Sequence, residues 1–418
     1  MKDTELYTRL LGLKHPWLVT GVSLELDKNR VDLTLTDTKG AKHPCPECGK
    51  LCPVYDHAVE QTWRHLDTCQ CETYLHARLP RTKCPDHGIH QTLAPWAGPR
   101  SPFTLMFESK LIDILKECDV TGSTRIAAVS WDEAWTVMKK AVERGMARKQ
   151  RRIPEYIGID EKSFAKGHSY ETIVCDIEQG TVEFVMDERT HESLEEYYKQ
   201  FTEEELAQVK AVGMDMWDPY FKTTMECVPE AENKIVFDRF HIFRYLTNAV
   251  DKVRRQETKV LSIIGDDRLK GTRYIWLKNI ENLTKAQKQE FSSLRRVNLK
   301  TGRAWAIKET LRKLWKYKYA KCAEKFFRRW YFWATHSRLK PVIESAKTLN
   351  RHLANILTYF NHRITNATSE GLNSKIQMVK HMACGFRNRD NYKTSIYFHC
   401  GGLDLYPRYE MSMTCSNS

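Results

Sequence analysis

The sequence predicts a mixed α/β sheet with helices on its faces. A cysteine-rich region and a pair of helices precede the sheet, and an all-helical block interrupts it. Three observations predict this. From Tyr156 the pattern runs three strands, helix, strand, helix, strand, helix, and three neighbouring strands followed by alternation indicate a mixed sheet. Six of the 13 cysteines lie between Cys45 and Cys84. Residues 250–360 carry no convincing strand and read as helical, basic and rich in aromatics such as Trp276, Trp305, Trp315, Trp330, Trp333, Tyr317 and Tyr319.

The elements follow in order. Val22–Leu26 and Val31–Leu35 alternate apolar and polar residues around Asp27-Lys-Asn-Arg30, which is a hairpin pattern. The cysteine-rich segment 43–90 comes next. The Pro/Gly-rich stretch from Pro95 to Pro102 reads as a linker. Residues 104–149 show helical spacing, with a short helix over Ser123–Val129 and a capping box, Ser130-Trp-Asp-Glu133, opening a longer one. Strands are expected at Tyr156–Asp160, Thr172–Asp176, Val182–Met186, Ala211–Asp215 and Lys234–Asp238. One helix is expected over His191–Lys210. Another begins with Asp218 as N-cap and Pro219 at its first position, and a third runs on from Phe240. A last helix, from about Asn366, carries Glu370, Ser374, Gln377 and His381. The resulting divisions are 1–98 (hairpin and cysteine-rich region), 99–150 (helix pair), 151–250 (first part of the sheet core), 251–360 (basic helical insertion) and 361–418 (remainder of the core).

Charge narrows the function. The 418 residues hold 66 Lys+Arg and 53 Asp+Glu, a formal charge of +13. Residues 151–250 hold 11 basic against 21 acidic side chains, whereas residues 251–418 hold 34 against 13. An acidic middle beside a strongly basic last third suggests a polyanion partner and a carboxylate-rich site able to hold metal. No run approaches the ~18 apolar residues of a membrane span, and the first residues lack a signal-peptide core. The expected location is the cytoplasm, with reduced thiols rather than disulfides.

Three motifs carry chemistry. Cys45-Pro-Glu-Cys48 and Cys84-Pro-Asp-His87 are two knuckles that complete a closed tetrahedral zinc site of structural type. Cys52, Cys69 and Cys71 compete for one ligand position. The helix pair within 104–149 matches a helix-turn-helix, with Arg125, Lys139, Lys140 and Arg144 available to DNA. Asp160 and Asp215 each end a strand. If those strands are neighbours, two carboxylates emerge together and favour a divalent cation between them, Mg²⁺ by donor chemistry with Mn²⁺ as a substitute. A third acid on a helix would complete a two-ion site for phosphodiester chemistry.

These stretches resemble a DDE transposase with a ribonuclease-H-like core, of the bacterial ISL-three insertion-sequence family. The resemblance rests on Ile157-Gly-Ile-Asp-Glu-Lys-Ser163, Gly213-Met-Asp-Met-Trp-Asp-Pro-Tyr220, Phe237-Asp-Arg-Phe-His241, Leu269-Lys-Gly-Thr-Arg-Tyr274 and Asn366-Ala-Thr-Ser-Glu-Gly-Leu-Asn-Ser-Lys375. It implies Asp160, Asp215 and Glu370 as Mg²⁺ ligands and cleavage and strand transfer of double-stranded DNA. It further implies recognition of terminal inverted repeats by the zinc region and helix-turn-helix, insertion into target DNA, and assembly as a homodimer or larger oligomer near the nucleoid. Asp238 and His241 read as supporting or structural groups. Trp217 beside Asp215 reads either as core or as a platform for an unpaired base, and Lys375 as a DNA contact. The alternatives are another ribonuclease-H-like nuclease and a non-catalytic DNA-binding regulator derived from a transposase.

Overall fold

The computed structural model describes residues 1–165, 169–188, 190–364 and 367–408. Asn366, with which the last expected helix opens, and Cys415 lie outside them. The chain forms two compact units. Among the described residues, no helix is long and apolar enough to cross a membrane.

The first unit comprises Met1–Gln150, Val379–Gly385 and the chain from Tyr397. A short helix α1 (Asp3–Leu10) precedes strands β1 (Trp17–Glu25), β2 (Arg30–Asp37), β3 (Lys42–Pro44), β4 (Leu51–Thr68), β5 (Cys71–Cys84) and β6 (Gly88–Gln91). Their order is β1-β2-β5-β4-β3, with β6 on β5. β1 and β2 form the expected antiparallel hairpin, and β4 and β5 form a much longer one. The inward face buries Val31, Leu33, Leu35 and Leu75 around three tryptophans. Trp96 meets Trp17 and Trp63 edge-on, at 4.9 and 5.4 Å between ring centroids. The Pro95–Pro102 stretch is therefore no free linker. Its tryptophan is 4% exposed, because a large ring yields more free energy buried in this core than left in water.

Helices α2 (Leu105–Glu117), α3 (Val120–Ala127) and α4 (Trp131–Arg148) complete this unit. Side chains cap all three: Thr104 accepts from the Phe107 N–H, Asp119 from the Gly122 N–H, and Ser130 with Glu133 forms the expected capping box. The short helix starts at Val120, three residues before the expected Ser123, because Asp119 supplies an earlier cap. Ala128 sits in the left-handed conformation that ends α3 and turns the chain into α4. Leu111, Ile112, Leu115, Val137, Met138 and Ala141 fill the space between the helices.

The second unit comprises Arg151–Met378 and Phe386–Ile396. Its strands are β7 (Tyr156–Ala165), β8 (Ser169–Asp176), β9 (Thr181–Asp187), β10 (Ala211–Met214) and β11 (Ile235–Phe237), in the order β11-β10-β7-β8-β9. β7, β8 and β9 form an antiparallel meander, and β10 and β11 add parallel to β7. This is the mixed sheet the element order implied. The helix expected over His191–Lys210 is two, α5 (His191–Tyr198) and α6 (Glu203–Ala207). The break falls where Thr202 and Glu205 make a second capping box. In α7 (Asp218–Cys227) the N-cap is Trp217. Asp218 occupies the first helical position and is not the cap.

After α8 (Ala231–Lys234), the long α9 (Arg239–Ile263) opens the helical block. It continues through α10 (Arg273–Leu277), α11 (Lys285–Arg296), α12 (Lys300–Leu311), α13 (Ala320–Thr335), α14 (Lys340–Arg351), α15 (Leu353–Leu357) and α16 (Tyr359–His362). Trp276, Trp305 and Trp330 are buried in its core, as aromatics joining helices should be, while Tyr319 and Trp333 are exposed. The last helices are α17 (Ala367–Met382) and α18 (Arg389–Cys400).

One close approach fixes α17 against the sheet. A Cβ on Gly158 of β7 would lie 2.6 Å from both the Cys175 Sγ and the Ser369 Oγ. Both neighbours are buried. Gly158→Ala is therefore expected to destabilise the unit by about 1–3 kcal/mol through overpacking. Thermal unfolding measures this, and an unchanged melting temperature would mean that α17 does not rest on β7.

Candidate functional site

Strand order determines which acids meet. Gly213 of β10 pairs with Gly158 of β7, and Met214 pairs with Phe237 of β11. Extending both registers puts Asp160, Asp215 and Asp238 in one row across three adjacent strands. Neighbours in such a row stand about 4.8 Å apart along the hydrogen-bonding direction. The Asp238 N–H donates to the Met214 carbonyl at 2.9 Å, which holds the row at the β11 end. Asp238 also caps α9, its carboxylate accepting from the Phe240 N–H at 3.0 Å.

His241, in the first turn of α9, lies against this row. Its Nδ1 is 2.8 Å from the Asp215 carboxylate and its Nε2 is 3.8 Å from that of Asp238. Burial alone would lower the imidazole pKa. The hydrogen bond to Asp215 and the charges of Asp215, Asp238 and Asp160 outweigh it, so the net shift is upward. The remaining Asp215 oxygen accepts from the Met216 N–H at 2.6 Å.

Glu370 stands in the first turn of α17, exposed, where the helix dipole favours a carboxylate. Asn373, one turn along on the same face, donates its amide to the Asp160 carboxylate. That bond brings the Glu370 turn to the β7 end of the row. Glu370 and Asp238 also line one cavity. Lys162, two residues beyond Asp160 and so on the same face of β7, is half-buried, and burial lowers its pKa. Trp217 is 36% exposed, and Lys375 is exposed on α17.

In the first unit, ligand atoms of Cys45, Cys48, Cys84 and His87 all lie within 4.8 Å of one another. The Cys48 and Cys84 sulfurs are 3.8 Å apart, and Cys84 is 3.5 Å from the His87 Nδ1. A tetrahedral zinc with bonds of about 2.3 Å separates its ligands by about 3.7 Å, so the donor set and its spacing fit zinc. The His87 ring draws the Cys84 thiol down to about 6, toward the thiolate that binds metal. Cys69 and Cys71 are excluded by distance: they lie at the far turn of the β4–β5 hairpin. From Cys71 to Cys84 the strand spans about 40 Å at ~3.3 Å per residue. Cys52 is buried beside Cys45 and Cys84, and its thiol donates to the Lys50 carbonyl at 3.3 Å.

On the three-helix segment, Arg125, Lys139 and Lys140 are exposed. Arg144 is partly buried and paired. Its guanidinium is 2.7 Å from the Glu108 carboxylate and donates to the Leu405 carbonyl. Glu108 is 4% exposed, and a buried carboxylate without a partner is strongly destabilising, so this arginine has a structural partner beside any role toward DNA. Sequence reasoning also missed Asn373 and Ser369. Both lie in the Asn366–Lys375 stretch that carries the resemblance, at i+3 and i−1 from Glu370, but no role was read for either.

Residues 157–396, more than half of the chain, match a family model described as the ISL3 transposase. The chain belongs to the ISL3 family of transposases. Residues 41–87 match the zinc finger of the transposases of IS204, IS1001, IS1096 and IS1165, and residues 94–142 the helix-turn-helix domain of transposase family ISL3. Among curated relatives, the transposase for insertion sequence element IS1557 of Mycobacterium tuberculosis is 26% identical, over 93% of each chain. The transposase for insertion sequence element IS1001 of Bordetella parapertussis is 25% identical, over 83% of this chain and 86% of its own. This ISL3 transposase thus carries its zinc finger and helix-turn-helix in the first unit, and its acid row in the span of the transposase model.

Proposed function

We propose that this ISL3 transposase binds the terminal inverted repeats of its element and performs Mg²⁺-dependent strand cleavage and strand transfer, with Asp160, Asp215 and Glu370 as the metal ligands. The observation carrying this reading is the Asp160–Asp215 pair on adjacent parallel strands, with Asn373 tying the Glu370 turn to Asp160. The donors are hard carboxylate oxygens, the set Mg²⁺ accepts. When bound, Mg²⁺ would activate the attacking oxygen and stabilise the leaving one. The chain's own groups hold the carboxylates in place. Asn373 fixes Asp160, and His241 orients Asp215 by donating from Nδ1. Asp238 is the competing third acid, because it stands in the row and faces the same cavity as Glu370.

Zinc held by Cys45, Cys48, Cys84 and His87 would close the knuckle end of the first unit. Arg125, Lys139 and Lys140 would meet the repeats, and Trp217 and Lys375 the DNA near the acids. Pairing two element ends calls for at least two copies of the chain. The direct test is cleavage of a duplex carrying the element's end, with Mg²⁺ and with EDTA. Product at the element boundary only with Mg²⁺ is the expected result.

Binding should also depend steeply on salt, because each phosphate contact releases counterions. Six phosphate contacts would weaken binding by about a thousandfold between ~50 and ~200 mM salt. Filter binding over that range measures the slope, and a flat response would remove the phosphate contacts assigned to the 34 basic residues after position 250.

A further inference from the structure

A cavity of about 610 Å³ adjoins the acid row in the second unit, with Asp238 and Glu370 in its wall. Whatever fills it therefore lies beside the reacting phosphodiester, if the proposed function holds. Its volume falls among the ~300–1,000 Å³ pockets that enclose a single small ligand, and a duplex does not fit in such a space.

Besides the acids and several aliphatic side chains, three kinds of group line it. Phe240, in the first turn of α9, lines the cavity although 64% of its surface is exposed. An aromatic ring left this open at a cavity mouth is a stacking platform, and Phe243 and Tyr359 extend the aromatic lining. Asn279 and Asn282, both exposed, each present an amide donor and acceptor, the pair that reads a base edge. Arg244 and Lys278 are exposed cations suited to a phosphate.

The floor is rigid. Lys308 is 3% exposed and donates to the Trp276 and Leu277 carbonyls at 3.2 and 3.4 Å. Glu309 sits 3.2 Å from that ammonium and pairs with Arg312 on its other side. A platform, edge readers and cations around one small space match a nucleotide rather than a metal, a peptide or an apolar ligand. A base reaches such a space only by leaving the duplex stack.

We propose that this cavity receives a single nucleotide extruded from the DNA duplex next to the cleaved phosphodiester, stacked on Phe240 and read by Asn279 and Asn282. Extrusion would fix the register of the cut relative to the acids, and base identity there would contribute to choosing the cleavage position.

The test uses full-length protein and duplexes of the element's end, with 2-aminopurine placed at successive positions around the cut and Ca²⁺ replacing Mg²⁺ to hold the uncut complex. One position is expected to brighten severalfold on binding. Phe240→Ala should lose that signal and cut about tenfold more slowly with Mg²⁺, as loss of one stacked base predicts. An abasic site at the same position should restore its rate, because no base then has to be unstacked. Asn282→Ala gives an independent arm and should slow cutting with the normal base only. Flat fluorescence at every position with normal binding and cleavage would overturn the proposal, as would wild-type rates for both variants. Saturable binding of free deoxynucleoside monophosphate with no DNA signal would assign the cavity to a free nucleotide and overturn it too. Failure of the underlying transposase reading looks different: wild-type protein would then cut no duplex in Mg²⁺.

Discussion

Glu370→Gln is expected to lower strand cleavage by at least about three orders of magnitude while leaving binding to the element's ends within about twofold. Glutamine keeps the size of the side chain and its place in the first turn of α17 but removes the charge a divalent cation needs. Loss of one preorganised electrostatic contact to a transition state costs ~10²–10³ in rate, and a metal ligand contributes to positioning as well. Fold is not at risk, because Glu370 is exposed and the helix is anchored by Ser369 and Asn373 instead. The measurement is Mg²⁺-dependent cleavage beside a mobility-shift assay on the same preparation, with Asp238→Asn in parallel. Cleavage near wild type in Glu370→Gln, together with collapse in Asp238→Asn, would transfer the third ligand to Asp238. The structure makes that comparison sharper than the sequence did. Asp238 stands in register with Asp215, yet its carboxylate already caps α9 and faces His241. Among the described residues, the Glu370 carboxylate has no such assignment.

Much of this site was legible in the sequence because the signals were local. Val-Gly-Met before Asp215 and Ile-Gly-Ile before Asp160 are short apolar runs of the length of a buried strand, and both form, although β7 does not end at Asp160 as expected but runs on to Ala165 because it pairs with β8 along that length. The Ser130–Glu133 capping box is likewise a local pattern, and it forms. What the sequence hid depends on non-local pairing. Asp238 joins the row only because β11 lies beside β10, a choice no residue in 235–238 encodes alone. Asn373 looks like any polar residue on a helix until α17 is laid on β7. Trp96 shows the same limit in reverse: prolines and glycine mark the local backbone as irregular, but the burial of a tryptophan is decided by the sheet it meets. The split of the expected 191–210 helix was within reach, since Thr202-Glu-Glu-Glu205 is a helix-start signature of the same kind as Ser130–Glu133. Arg144 marks a different boundary. Its charge suggested DNA, and only the burial of Glu108 shows that the same charge also balances a carboxylate of the fold.

Removing zinc, or replacing Cys84 by Ser, is expected to unfold the knuckle end of the first unit and abolish binding to the element's ends, while the tryptophan core of the same unit stays folded. The two regions draw stability from different sources. Around the knuckles the buried apolar cluster among the described residues consists of Cys45, Cys52 and Cys84, so little but the metal closes that end. A structural zinc is worth ~10–16 kcal/mol of folding free energy in small finger domains, as much as a whole domain's net stability of ~5–15 kcal/mol. By contrast, Trp17, Trp63 and Trp96 pack with Val31, Leu33 and Leu75 in a core that needs no ion. Leu75 and Cys84 are nine residues apart on β5, about 30 Å at ~3.3 Å per residue, so fraying at one end need not reach the other. Amide exchange separates the outcomes. Cys84→Ser should lose protection over β3, β6 and the adjoining ends of β4 and β5, with little change around Trp63. Metal analysis should find one zinc per wild-type chain and none in the variant. A variant that keeps its zinc would promote Cys52, already buried beside Cys45 and Cys84, to the vacated position. Wild-type protein isolated without chelators and carrying no zinc would remove the metal from this end of the fold altogether.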